Sequence, residues 1–173
     1  MFLLVSGGAG SGKSEYAEQL LLQYGAGQNY YLATMEVWDE EDRARVARHR
    51  ALRKGKGFLT LEVPRNLDRV ALPRGSSALL ECLSNLCANE CFGEQGFPGA
   101  CERILRGIRH LLSQTETLVV VTNELFSDGC EYAPETMEYL DILSRLNCEL
   151  ARQADRVYEV VCGLPVQWKG ERA

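Results

Sequence analysis

Near its start the chain reads Phe2-Leu3-Leu4-Val5-Ser6-Gly7-Gly8-Ala9-Gly10-Ser11-Gly12-Lys13-Ser14, an apolar run that breaks into a glycine-rich turn. The run is short, continuous and apolar, as a strand covered on both faces should be. Gly7, Gly8, Ala9, Gly10, Ser11, Gly12, Lys13 and Ser14 complete the spacing G-x-x-x-x-G-K-[ST] of a P-loop. In that motif the glycines let successive backbone N–H groups converge on phosphate oxygens, the lysine reaches the β and γ phosphates, and the serine hydroxyl ligates Mg²⁺. A helix that starts at the lysine adds the positive end of its dipole. The ligand predicted from these residues is a nucleoside triphosphate.

Further β-branched and apolar runs lie at 30–33, 58–63, 77–81, 118–122 and 157–162, and amphipathic patterns fall between them at 13–24, 39–54, 83–91, 100–114 and 134–154. Strands alternating with helices demand right-handed crossovers, so the predicted fold is α/β and P-loop NTPase-like, a mainly parallel doubly wound sheet flanked by helices. With 173 residues and no internal repeat, residues 1–173 are read as a single domain. Ligands in such sheets lie beyond the carboxyl ends of the strands. The positions to watch are therefore 7–14, Thr34 to Glu36, Glu62, Glu81 with Cys82, and Thr122 to Glu124. Glu81 closes a buried strand, where a carboxylate holds Mg²⁺ through water. Asn123 and Glu124 read equally as pocket lining or as a polar turn.

Composition narrows the classes. Hydrophobic residues make up 46% and charged ones 25%, the balance of a soluble globular protein. A net charge of −5 argues against a nucleic-acid partner, which wants a basic face. No apolar run is long enough to span a membrane. Met1 leads directly into the first strand without a basic leader, so a cytoplasmic location is expected. The seven cysteines contain no C-x-x-C pair and are read as reduced thiols, with zinc at Cys82, Cys87 and Cys91 as the sharper alternative.

A second constellation occupies the segment after strand two. On a helix, Arg45 and Arg53 stand four residues either side of His49, so one face carries an imidazole between two guanidinium groups. Composition alone favours a solvated charged face. The chemical reading is that the arginines grip a triphosphate and hold the imidazole neutral, ready to attack phosphorus. His110, between Arg109 and Leu111 in a helical pattern, has a structural look.

The order of motifs resembles the bifunctional adenosylcobinamide kinase/adenosylcobinamide-phosphate guanylyltransferases of cobalamin synthesis. The likeness rests on GGAGSGKSEYAE at 7–18, YLAT at 31–34, D-x-E…R-[IV]-x-x-H-x-x-x-R at 39–53, T-x-E-x-P at 60–64, LLEC at 79–82, VTNE at 121–124, N-x-x-x-A-x-x-A-D-x-V at 147–157 and V-x-G-L-P at 161–165. The resemblance implies a two-step enzyme: phosphorylation of adenosylcobinamide by a nucleoside triphosphate, then transfer of GMP from GTP to the resulting phosphate through a phosphoramidate on a histidine. It places that carrier at His49, with Lys13 and Mg²⁺ stabilising the leaving group. It also assigns guanine-nucleotide contacts to Thr34, Met35 and Glu36, to Arg50, Ala51, Leu52 and Arg53, and to Glu62, whose carboxylate matches the N1–H and N2–H₂ edge of guanine. Ser14 and Glu81 become the metal residues, GTP and ATP the co-substrates, and a homo-oligomer, trimeric as in the family, the expected assembly. Departures from the family pattern are the 125–130 segment Leu-Phe-Ser-Asp-Gly-Cys, non-basic Glu135, Met137, Glu138 and Leu140, Gly10 for an arginine and Phe58 for a tryptophan. Two rivals stand beside this reading, a plain small-molecule kinase and a nucleotide-binding regulator.

Overall fold

The computed structural model describes residues 1–36, 40, 43, 47, 55–127 and 129–171. Among the described residues seven strands form one sheet: β1 Phe2–Ser6, β2 Asn29–Ala33, β3 Phe58–Glu62, β4 Ser76–Glu81, β5 Thr115–Val121, β6 Arg156–Val161 and β7 Leu164–Lys169, in spatial order β3-β2-β4-β5-β1-β6-β7. The first six are mutually parallel, and β7 returns antiparallel along β6. Four α-helices are described: α1 Lys13–Tyr24, α2 Leu83–Cys91, α3 Ala100–Gln114 and α4 Pro134–Gln153. The helical pattern expected at 39–54 lies largely outside the described residues.

The continuous apolar runs are explained by helices on both faces. Leu3, Val5, Leu79, Val119 and Val121 point to one side, where they bury Ala17, Leu20 and Leu21 of α1. Their neighbours Phe2, Leu4, Leu80, Leu118 and Val120 point to the other, against Leu83 and Leu86 of α2, Ile104, Ile108 and Leu111 of α3, and Leu143, Leu146 and Leu150 of α4. Each fully buried leucine contributes about 1.5–3 kcal/mol, so alternation of period two inside apolar runs is what anchors the register.

The sheet places the strand ends. Ala33 of β2 pairs with Glu62 of β3 on one side and with Glu81 of β4 on the other, so the two carboxylates flank β2 at one level. Strand β1 lies beyond β5, and the phosphate loop therefore emerges two strands from Glu81.

Strand β7 has no counterpart among the apolar runs of the sequence, where residues 161–165 stand out only as a motif. Pro165 argues against a central strand but suits an edge. The two-residue turn uses Cys162 at φ 51 and Gly163 at φ 80, the doubly left-handed geometry of a tight hairpin, with a cysteine where asparagine is the usual signal. Strand β5 also starts three residues earlier than the apolar run, because Thr115 and Thr117 pair with Ser76 and Ser77.

Candidate functional site

The turn after β1 is shaped by contacts only glycine permits. A Cβ on Gly7 would lie 2.6 Å from the Val160 carbonyl oxygen, and Gly12 takes φ 90 as the residue that opens α1. Among the described residues no side chain caps that helix, which leaves its first N–H groups turned toward the loop. Lys13 is buried, and its Nζ donates to the Gly8 carbonyl at 3.0 Å, so the ammonium is held across the mouth of the loop. The β6–β7 turn backs it: Gly163 N–H donates to Ser11 O at 2.8 Å. The Ser11 hydroxyl is buried with no hydrogen-bond partner among the described residues.

Ser14, in the first turn of α1, donates its hydroxyl to Glu81 Oε1 at 2.6 Å. Two hard oxygen donors of the kind Mg²⁺ selects thus meet at the mouth of the phosphate loop. Their chemistry fits that ion.

Next to Glu81, Thr34 is fully buried and locks the ends of β2 and β4 together. Its hydroxyl donates to Cys82 O at 2.8 Å and accepts from Cys82 N–H at 2.7 Å, while its own N–H donates to Glu81 O at 3.0 Å. Asn89, a residue without a sequence signal, donates from Nδ2 to the carbonyls of Thr34 (2.7 Å) and Pro64 (2.9 Å). Glu36 forms an ion pair with Arg65 at 3.0 Å, and Arg65 Nε also donates to Asn89 O at 2.9 Å. Thr34, Met35 and Glu36 are therefore held beside the loop by a polar scaffold, and Glu62 stands exposed at the end of β3.

On the other side, Asn123 Nδ2 donates to Ser84 Oγ at 2.5 Å, and Ser84 Oγ lies 3.1 Å from Cys82 Sγ. Burial raises the Cys82 thiol pKa, and the negative charge of Glu81 raises it further. That thiol stays protonated, so it fills space and bonds weakly rather than attacking a substrate. Glu124 N–H donates to Gly7 O at 3.2 Å, while its carboxylate accepts from Phe126 N–H and Ser127 Oγ.

The structure thus brings together the residues at 7–14, Glu81, Thr34 to Glu36 and Asn123. His49, Arg50, Ala51, Leu52 and Arg53, with Arg45, lie outside the described residues. His110 is remote from this edge and bonds Val70 O at 2.9 Å, as its structural look implied. The zinc alternative fails among the described residues: Cys87 and Cys91 face each other at 4.0 Å, while Cys82 turns to Ser84 and Asn123.

Fold and site together define a P-loop nucleotide-binding protein with a strand-end acidic residue beside the motif serine. A family model described as cobinamide kinase / cobinamide phosphate guanyltransferase matches residues 3–168, and the chain belongs to that family. It is similar to the bifunctional adenosylcobalamin biosynthesis protein CobU of Salmonella typhimurium, 35% identical over 187 residues that cover 98% of this chain and 100% of that protein. The corresponding CobP of Pseudomonas aeruginosa is 32% identical over 173 residues, 97% of each chain. Among solved structures, the flagellar accessory protein FlaH of Methanocaldococcus jannaschii superposes with a TM-score of 0.51 at 13% identity, covering 98% of this chain and 78% of that one, a likeness of fold.

Proposed function

We propose that this protein is a bifunctional enzyme that phosphorylates adenosylcobinamide and then transfers GMP from GTP to adenosylcobinamide phosphate. The observation that carries the phosphoryl-transfer half is the bond from Ser14 to Glu81 in the first turn of α1, which no described side chain caps. Ser14 and Glu81 would hold Mg²⁺ there, and the ion would offset the negative charge that builds during transfer. Gly7 to Ser14 cradle the triphosphate, and Lys13 stabilises negative charge on the leaving phosphates.

In the first step a substrate hydroxyl oxygen attacks the γ-phosphorus, its proton leaves to solvent or a nearby base, and the bond to the nucleoside diphosphate breaks. In the second step a neutral nitrogen of His49 attacks the α-phosphorus of GTP and pyrophosphate departs. A phosphate oxygen of adenosylcobinamide phosphate then attacks the same phosphorus, breaks the P–N bond and restores the histidine. Arg50 to Arg53, Thr34 to Glu36 and Glu62 serve the guanine nucleotide in this scheme. This reading takes the enzyme to be cytoplasmic; among the described residues no helix is long and apolar enough to cross a membrane. Strand β7 exposes Leu164, Val166 and Trp168 along one sheet edge, a surface suited to homo-oligomer assembly.

The test is direct. Incubation with adenosylcobinamide, ATP, GTP and Mg²⁺ should yield adenosylcobinamide-GDP and pyrophosphate. A plain kinase would stop at adenosylcobinamide phosphate, and a nucleotide-binding regulator would leave the corrinoid unchanged.

A further inference from the structure

We infer that an aromatic cluster of Phe92, Phe97 and Tyr139 seats the corrin macrocycle of the acceptor, while the phosphate loop holds its reacting end. The inference rests on the enzymatic reading above and assigns the substrate's bulk to named side chains.

Phe92 follows directly on the last residue of α2 and remains 58% exposed, although two rings pack against it. Phe97 meets it edge to face, with centroids 5.1 Å apart and planes at 83°, and Tyr139 of α4 lies 6.2 Å away at 43°. Phe97 and Tyr139 lean on the main core. The supports are thus fixed by packing, whereas the ring they hold faces outward. An exposed aromatic presented by two immobilised neighbours offers apolar area at little entropic cost on binding.

Continuity with the phosphate site selects the occupant. Ser14 bonds Glu81, Cys82 follows Glu81, and Cys82 Sγ lies 3.1 Å from Ser84 Oγ. Tyr139 Oη in turn donates to Ser84 O at 3.3 Å, and Tyr139 touches Phe92. Helix α2 starts at the phosphate end of this chain of contacts and finishes at the aromatic end, with 9 residues between, a span of about 13 Å. Leu125 and Phe126, 37% and 42% exposed, belong to the segment that leaves Asn123, whose side chain bonds Ser84. A ligand served by both ends needs a phosphoryl-accepting group on an arm and a broad apolar body set back from it. Adenosylcobinamide has that build: a hydroxyl-bearing arm projects from a corrin ring. A nucleotide alone does not, since its base is tied closely to its phosphates.

The experiment compares wild type, Phe92→Ser, Phe92→Trp and, as a control on a remote exposed face, Leu22→Ser. Corrinoid affinity is read by equilibrium dialysis of adenosylcobinamide, followed by its visible absorbance, and kinase KM values are measured separately for adenosylcobinamide and for the nucleotide. Phe92→Ser should weaken corrinoid binding and raise that KM about fivefold to tenfold with the nucleotide KM unchanged, the scale of one lost aromatic contact. Phe92→Trp and Leu22→Ser should match wild type within about twofold. Equal corrinoid affinity in Phe92→Ser and wild type overturns the assignment, as does a rise confined to the nucleotide KM, which would make the cluster a base-stacking surface. If wild type neither binds nor phosphorylates adenosylcobinamide, the enzymatic reading fails, an outcome distinct from either of these.

Discussion

Ser14 and Glu81 are separated by 67 positions in sequence, yet the hydroxyl of one donates to the carboxylate of the other at 2.6 Å. This contact joins the helix after β1 to the end of β4, two strands away. It holds the two oxygen donors of the proposed Mg²⁺ site against each other. Glu81→Gln keeps the size of the side chain and removes its charge. The Mg²⁺ concentration that gives half-maximal kinase rate should rise about 10–100-fold, the usual scale for a group that positions a metal. A titration superimposing on wild type would remove Glu81 from the metal site.

Lys13→Ala should cut both activities by at least about a hundredfold, because in the proposed scheme each step develops charge on phosphates held at the loop that Lys13 spans. The protein should stay folded, since the Nζ bond to Gly8 O is the lysine's main local tie. Normal self-labelling with GTP by this variant would show that the two steps use separate triphosphate sites.

Thr34 offers a test of the scaffold. Thr34→Val strips the donor and the acceptor that serve Cys82 and leaves a buried N–H and C=O unsatisfied. Urea unfolding should show a loss of about 2–4 kcal/mol, and Thr34→Ser should recover most of it. A valine variant as stable as wild type would mean that water or a shift of β4 satisfies those groups.

How far was this legible from sequence? The phosphate loop was, because its chemistry is local: Gly7 lies where a Cβ would meet the Val160 carbonyl, Gly12 takes a left-handed φ of 90, and Lys13 and Ser14 follow at fixed spacing. Glu81 was legible through position alone, as the polar residue ending a buried strand. The clamp of Thr34 on Cys82, the Asn89 bridge and the Ser84 to Asn123 bond were not, since each joins residues brought together by the sheet and not by the chain. Strand β7 escaped for a local reason: Pro165 and a Cys162-Gly163 turn are weak strand signals, and a solvent-facing edge shows no buried alternation.

Thiol counting checks the packing independently. Cys130, Cys148 and Cys162 are exposed, and Cys82, Cys87, Cys91 and Cys101 are buried. Burial also raises the pKa of Cys82 and Cys101, which suppresses their reactive thiolate near neutral pH. Iodoacetamide should therefore modify three cysteines promptly in the native protein and the other four only after denaturation. Fast labelling of Cys82 in the native state would contradict the closed polar cluster around it.

In the proposed scheme Glu62, exposed at the level of Glu81 across β2, chooses the base. Its carboxylate suits guanine N1–H and N2–H₂ and meets no matching donor on adenine. Glu62→Gln should narrow the GTP-over-ATP preference of the transferase step by about tenfold, roughly the worth of one charged hydrogen bond. Competition assays that give the wild-type ratio would move base recognition to another residue.

The guanylyl-transfer claim is tested most directly by incubating the protein with GTP labelled at the α-phosphorus and following label on the protein. One adduct is expected that acid releases and alkali spares, the stability of a phosphoramidate, and it should be absent from His49→Ala while triphosphate binding persists. An acid-labile GMP adduct of normal yield on His49→Ala would contradict it, and so would the absence of any adduct on the wild-type protein.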